Sequence, residues 1–175
     1  MAKRNPRVIR ITRASVTLVT EPRSQSGADV HVPPPLVYAA PLAVAWAVDR
    51  LVPWRMPGSG WRKGAGWALL AVGQAMGAAG VATFRGKGTS VIPGRPASAL
   101  ATTGPYIYTR NPMYVGLTVS YLGGSLLLGT WWAPIALPAI VAFVDRNVIR
   151  REEAYLRKQF GAAYEDYSRH TRRWI

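Results

Sequence analysis

The sequence predicts an all-α integral membrane protein, with about four transmembrane helices and a C-terminal amphipathic helix in the cytosol. Three observations carry that expectation. Charges are segregated: none falls between Gly64 and Phe84 or between Asn111 and Val144, although the chain has 22 Lys and Arg and 8 Asp and Glu. The second of these windows holds 34 residues, roughly 50 Å as one helix at ~1.5 Å per residue, against a hydrocarbon core of ~30 Å, so it turns back on itself. After Asp145 the chain becomes charged but keeps a helical apolar stripe. Nearly half of the 175 residues are apolar while the mean hydropathy is only +0.05, because the average conceals this separation.

Residues 1–32 form a basic N-terminal extension. Lys3, Arg4, Arg7, Arg10 and Arg13 are not followed by a long apolar core, so the segment reads as weakly ordered and not as a cleaved signal peptide. One helical domain follows over 33–175. Its first span, Pro35 to about Trp54, is interrupted by Pro41 and by Asp49 and Arg50. The second, Gly64 to Phe84, matches the ~20 residues a spanning helix needs and carries Gln74 as its one strongly polar side chain. Gly73 and Gly77 within it give small-xxx-small spacing, which lets another helix approach closely.

From Phe84 to Arg110 the glycines and prolines at 86, 88, 93, 94, 96, 104 and 105 forbid a long helix, whereas Pro112 suits the first turn of the next. Gly129, Trp131, Trp132 and Pro134 supply the turn inside the long uncharged window, with indoles suited to an interface. Counting Lys and Arg then tests the topology. Six precede the first span, four lie in the next connection, four lie between Arg85 and Arg110, none lies in the Trp131 turn and eight follow Phe143. Four crossings put the first, third and last groups together, 18 of 22, and the positive-inside rule makes that side cytoplasmic, with both termini there and the inner (plasma) membrane as host.

Composition also excludes. Without cysteine there is no disulfide, thiolate nucleophile or Cys-based metal site, and His31 and His170 are too isolated for a metal centre. A net charge of +14 suggests nucleic acid, but the cations flank apolar segments and do not form one stripe, so anionic lipid is the expected partner. Oligomeric state leaves no mark.

Two polar clusters remain to be explained. The first is Gly104-Pro-Tyr-Ile-Tyr-Thr-Arg-Asn-Pro-Met-Tyr-Val-Gly116, in which Tyr106, Tyr108 and Tyr114 surround Arg110 and Asn111 and offer aromatic faces to a cation and donors to a carboxylate or ribose. The second is Arg150-Arg-Glu-Glu153. With Ile149 at zero on a ~100° wheel, Leu156 and Phe160 lie within about 20°, and Glu152 and Glu153 border the same face at about 60° and 40°. A carboxylate there needs a cation or donor: Arg110, Arg146, Arg150 or a ligand amine. A structural salt bridge and a ligand site both answer that need.

Taken with Arg151-Glu-Glu-x-x-Leu156, Phe160-Gly-x-x-Tyr164-x-x-Tyr167 and Arg172-Arg-Trp174, the first cluster resembles the isoprenylcysteine carboxyl methyltransferase and phospholipid methyltransferase superfamily of membrane enzymes. The resemblance covers about 84–174. It implies a cofactor half that binds S-adenosylmethionine and methylates a lipid-like or hydrophobic small-molecule acceptor, such as a carboxylate, amine or thiol. Tyr106, Arg110, Asn111, Pro112, Tyr114 and Gly116 would shape the cofactor pocket from one side and Glu152 and Glu153 from the other, with Arg110 and Glu152 in the catalytic roles. Prenylcysteine enzymes carry Arg-His-Pro where this chain has Arg110-Asn111-Pro112. An NADPH-dependent sterol-type membrane reductase and a non-catalytic anionic-lipid-binding protein are the competing classes.

Overall fold

The computed structural model describes residues 33–86, 88 and 97–175; the basic extension over 1–32 and part of the Gly/Pro-rich loop lie outside them. Six α-helices follow in order among the described residues: α1 Pro34–Leu51, α2 Ser59–Gly86, α3 Pro112–Leu128, α4 Trp132–Val144, α5 Arg150–Phe160 and α6 Ala162–His170. A 3-10 turn, Gly104–Ile107, precedes α3, and a π-turn, Asp145–Ile149, joins α4 to α5. Among the described residues there are two isolated backbone bridges and no strand. Ser59–Gly86 and the continuous run Trp132–Phe160 are long and apolar enough to cross a membrane, and Pro112–Leu128 is apolar but shorter.

Pro41 does not break α1. A proline removes one helical N–H bond, and here Tyr38 and Ala45 are buried on either side of it against α3 and α4, so packing outweighs the missing bond. The charged end of α1 is also accommodated: Asp49, 3% exposed, accepts from the Trp54 N–H at 3.1 Å and pairs with Arg55 at 2.8 Å. Arg50 lies instead over the Trp46 ring, 4.8 Å from its centroid.

Helix α2 begins about a turn earlier than its uncharged window, at Ser59. Its buried residues are three glycines seven apart, Gly66, Gly73 and Gly80. Gly66 and Gly73 meet Gly123 and Gly116 of α3, also seven apart, while Gly80 faces the side chain of Met113. A Cβ on Gly73 would stand 2.5 Å from the Gly116 carbonyl oxygen, one on Gly116 2.6 Å from that of Gly73, and one on Gly123 2.7 Å from that of Gly66. Only hydrogen fits, so the two backbones touch at two points one heptad apart, a spacing that keeps one seam face to face. Gln74 adds a hydrogen bond to Ser120 at 3.1 Å. Gly77, singled out with Gly73 in the sequence, contributes backbone to the seam while its own Cβ position is open.

At one end of the bundle the α1–α2 connection is stitched to the α3–α4 turn by Met56 N–H to Gly129 O and Trp131 N–H to Trp54 O, with Trp54 edge-on to Trp132. Gly129, with φ +71, closes α3, and α4 resumes at Trp132 after a tighter turn than the six-residue one expected. The opposite end gathers the C-terminus of α2, the 3-10 turn, the start of α3 and the charged tail. That tail is not one amphipathic helix running to Tyr167. Gly161, at φ +51, ends α5 and starts α6 in a new direction. Its start is irregular too: the Arg150 N–H bonds the Asp145 carbonyl five residues back, so the π-turn absorbs one extra residue between α4 and α5.

Candidate active site

Pro105 sits in the first turn of the 3-10 helix, which buries Tyr106 (5% exposed) against Phe84 with ring centroids 5.4 Å apart. Tyr108, expected with it, faces outward at 73% exposure. Thr109, Arg110 and Asn111 then run beside the C-terminal residues. Thr109 bridges Arg172 in parallel, the Arg110 N–H donates to the Arg172 carbonyl at 2.8 Å, and the Thr109 hydroxyl and Asn111 amide both donate to the Arg173 carbonyl, at 3.1 and 2.9 Å. Pro112 is buried at the first position of α3, and Gly116 lies in the α2 seam.

The guanidinium of Arg110 meets a carboxylate, and that carboxylate is Glu153. Its Nε and Nη2 both donate to Glu153 Oε1, at 3.1 and 2.9 Å, and its Nη1 donates to the carbonyls of Ser168 and Thr171, at 2.7 and 2.9 Å. Four of its five N–H groups are therefore engaged. Arg173 holds the same acid from the other side, Nη2 on Oε2 at 2.7 Å and Nε on Oε1 at 3.1 Å, and reaches Asp145 with Nη1 at 3.3 Å. Asp145 also takes Arg150 at 3.0 Å and the Trp174 indole at 3.4 Å. Three arginines thus enclose two carboxylates, with Glu153 only 5% exposed. The hydrogen bonds Arg173 donates to Glu153, and then the charges of Glu153 and Asp145, raise the pKa of Arg173.

Glu152, one residue earlier, faces a different neighbourhood. Among the described residues it forms no ion pair, and the hydroxyl of Tyr114 donates to it at 3.0 Å. Behind Tyr114 runs a polar chain: Thr118 Oγ1 donates to the Tyr114 carbonyl at 2.8 Å and shares a 3.0 Å hydrogen bond with the Tyr38 hydroxyl. The buried Tyr106 hydroxyl makes no hydrogen bond among the described residues. Its pKa lies well above the phenol value, first from burial, then from the charges of Tyr167 and Glu152. Gly80 lies beside it: a Cβ there would be 2.9 Å from Met113 Cγ and 3.7 Å from the Tyr106 hydroxyl.

Six of the eight site residues expected from the sequence thus converge at one end of the bundle in contact with one another or with the tail, while Pro112 and Gly116 serve helix start and helix packing there. Sequence reading missed Thr109, Asp145 and Arg173 as members of the cluster. Asp145 marked only the end of an uncharged run, and Arg173 was quoted within Arg172-Arg-Trp174 as part of the resemblance but given no role at the site. Among the described residues no three His, Cys, Asp or Glu lie together as a metal site.

A burial-compatible seat for a cationic or hydrogen-bond-donating ligand is what this arrangement offers: among the described residues, the Glu152 carboxylate has no counter-ion, the buried Tyr106 phenol has no partner, and an ionic frame lies next to them. The profile of the phospholipid methyltransferase family matches residues 61–163, more than half of the chain and all of this site except its tail. The chain is 38% identical over 68 residues to protein-S-isoprenylcysteine O-methyltransferase of Schizosaccharomyces pombe, covering 39% of this chain and 29% of that enzyme. It is 38% identical over 84 residues to the nickel-cobalt-cadmium resistance protein NccN of Alcaligenes xylosoxydans xylosoxydans, 46% of this chain and 37% of that protein. An uncharacterised Haemophilus influenzae protein matches over its whole length at 33% identity across 63 residues, 36% of this chain. The aligned segments therefore span well under half of the first two relatives.

Proposed function

The chain belongs to the phospholipid methyltransferase family, and on that premise we propose that it is an integral membrane enzyme that transfers a methyl group from S-adenosylmethionine to a lipid-like or hydrophobic small-molecule acceptor. The carrying observation is Glu152: a carboxylate at the end of the bundle where the tail docks, hydrogen-bonded to Tyr114, with no cation beside it and the buried Tyr106 hydroxyl unpartnered among the described residues.

S-adenosylmethionine supplies an electrophilic methyl on a sulfonium centre and carries an ammonium and ribose hydroxyls. Glu152 is the group of opposite charge for the ammonium or an acceptor for the ribose, and Tyr106 and Tyr114 present ring faces and hydroxyls to the same space. Arg110 and Asn111 hold the walls: the first ties Glu153 and the tail carbonyls, the second ties the tail at Arg173. Methyl transfer neutralises charge, so the residues contribute by orienting the two reactants and excluding water; no general nucleophile is required of the chain. The acceptor's reactive atom, whether of a carboxylate, amine or thiol, would approach from the bilayer.

The membrane arrangement we propose has four crossings, with α1 and α3 completing the two longer spans, and puts the site and both termini on the cytoplasmic side of an inner (plasma) membrane rich in anionic lipid. The distribution of 18 of 22 cations supports it. Titration of the detergent-solubilised protein with S-adenosylmethionine and with NADPH tests the reading. Saturable binding of the first alone is expected, weakened at least tenfold by Glu152→Gln. Binding of NADPH alone would replace this proposal with the reductase, and binding of neither would leave a lipid-binding protein.

A further inference from the structure

Arg173 touches none of the groups assigned to the ligand, yet its contacts bracket the segment that aims Glu152. Its guanidinium joins Asp145 to Glu153, the residues at either side of the π-turn and the first turn of α5. A π-turn holds one residue more than an α-helix over the same rise and is stable only when its surroundings fix it. Relaxation to α geometry would rotate α5 by about 100° relative to α4, which would carry Glu152 away from Tyr114. The backbone of Arg173 is itself anchored, through its carbonyl, to Thr109 and Asn111. The clamp therefore bears on the rigid start of α3, where Tyr114 also sits.

Charge gives the same residue a second effect. Glu152 and Glu153 are adjacent carboxylates, and Glu153 is buried. With Arg110 and Arg173 both on Glu153, its negative charge is covered on each oxygen, so less of it is felt at the neighbouring Glu152. Removal of Arg173 leaves Glu153 Oε2 bare.

We propose that Arg173 is a positioning residue: by bridging Asp145 and Glu153 across the π-turn it fixes the rotation of α5 that presents Glu152 to Tyr114 and the ligand seat. The proposal rests on the methyltransferase reading for its binding measurement and stands independently of it for its geometry. The natural chain has no cysteine, so the pair Tyr114→Cys and Glu152→Cys can be joined by a short thiol-specific bifunctional reagent and scored by gel mobility in the full-length protein. Adding Arg173→Met is expected to lower the cross-link yield severalfold, and Arg173→Lys to restore most of it.

In the protein with Tyr114 and Glu152 intact, Arg173→Met is expected to weaken S-adenosylmethionine binding by at least about tenfold, as removal of the Glu152 contact itself would. Arg173→Lys should recover binding to within about threefold. Cross-linking and binding unchanged in Arg173→Met would overturn the inference. So would equal losses in Arg173→Met and Arg173→Lys, which would mark the site as generally fragile. If Arg173→Met does not fold, Asp145→Asn removes one end of the bridge and keeps the Glu153 pair; a wild-type cross-link yield in that variant would also overturn it. A parent protein that binds no S-adenosylmethionine refutes the functional reading, and the cross-link result then decides this inference alone.

Discussion

Two seams hold this protein together, and they use opposite chemistry. Between α2 and α3 the chain removes side chains altogether, so that Gly66 and Gly73 lie on Gly123 and Gly116 with backbone against backbone. Between α5 and the tail it adds charge, with Arg110, Arg150 and Arg173 around Glu153 and Asp145. In lipid, helices gain nothing by hiding apolar area from a solvent that is itself apolar, so close fit carries the first seam. Near the headgroups a buried charge is tolerable only when it is matched, so pairing carries the second. The candidate ligand seat lies where the two meet, with Gly80 near the Tyr106 hydroxyl and Tyr114 on Glu152.

The sharpest way to break the ionic seam is Glu153→Ala. It leaves Arg110, whose side chain is 14% exposed, and Arg173 facing one another without the acid between them, and the expected cost is about 3–5 kcal/mol, read as a large fall in the detergent melting temperature. An unchanged melt would show that the guanidinium groups find other partners and that the acid is not structural. Next in size is Gly73→Ala. The new methyl would stand 2.5 Å from the Gly116 carbonyl oxygen, so the helices must part, at an expected cost of about 1–3 kcal/mol. High salt should shrink the loss at the ionic seam, by screening both the attraction removed and the repulsion left between the arginines, and leave the loss at the glycine seam unchanged; equal salt sensitivity would erase the contrast between them.

Smallest, and of opposite sign, is Tyr106→Phe. Deleting a buried hydroxyl that has no partner should raise stability by about 1 kcal/mol while weakening ligand binding. A loss of stability would mean that the hydroxyl has a structural partner, and the case for a ligand next to Glu152 would rest on the acid alone.

The helices were legible because lipid imposes a compositional rule: uncharged windows mark α2 and the α3–α4 hairpin, and the turn residues at 129–134 lie where the chain reverses. The glycine seam was half legible. Gly73 stood out through its neighbour Gly77, whereas the working repeat runs in sevens through Gly66 and Gly80, and its match on α3 is a partner that no local pattern names. The π-turn left no trace, since one extra residue in a helix changes hydrogen bonds and not composition.

At the site, the meeting of Arg110 with the paired acids was among the outcomes the wheel allowed, because acids bordering an apolar face require a donor. The unequal fates of Glu152 and Glu153 were not. Both border the same face, and what separates them is Arg173, which arrives from 20 residues further along the chain only after α6 has turned at Gly161. Long-range contacts of that kind depend on the angle of one helix to the next, which sequence spacing does not encode.

The turn at Asp145–Ile149 has one consequence for lineage rather than for energy. Since the widened loop takes up its surplus amino acid before α5 begins, a related chain shorter by one position there could run as plain helix and still show the same acid to the same phenol. Gaps aligned to this stretch would then be silent for chemistry, whereas an equal gap after Arg150 would move Glu152 off its mark.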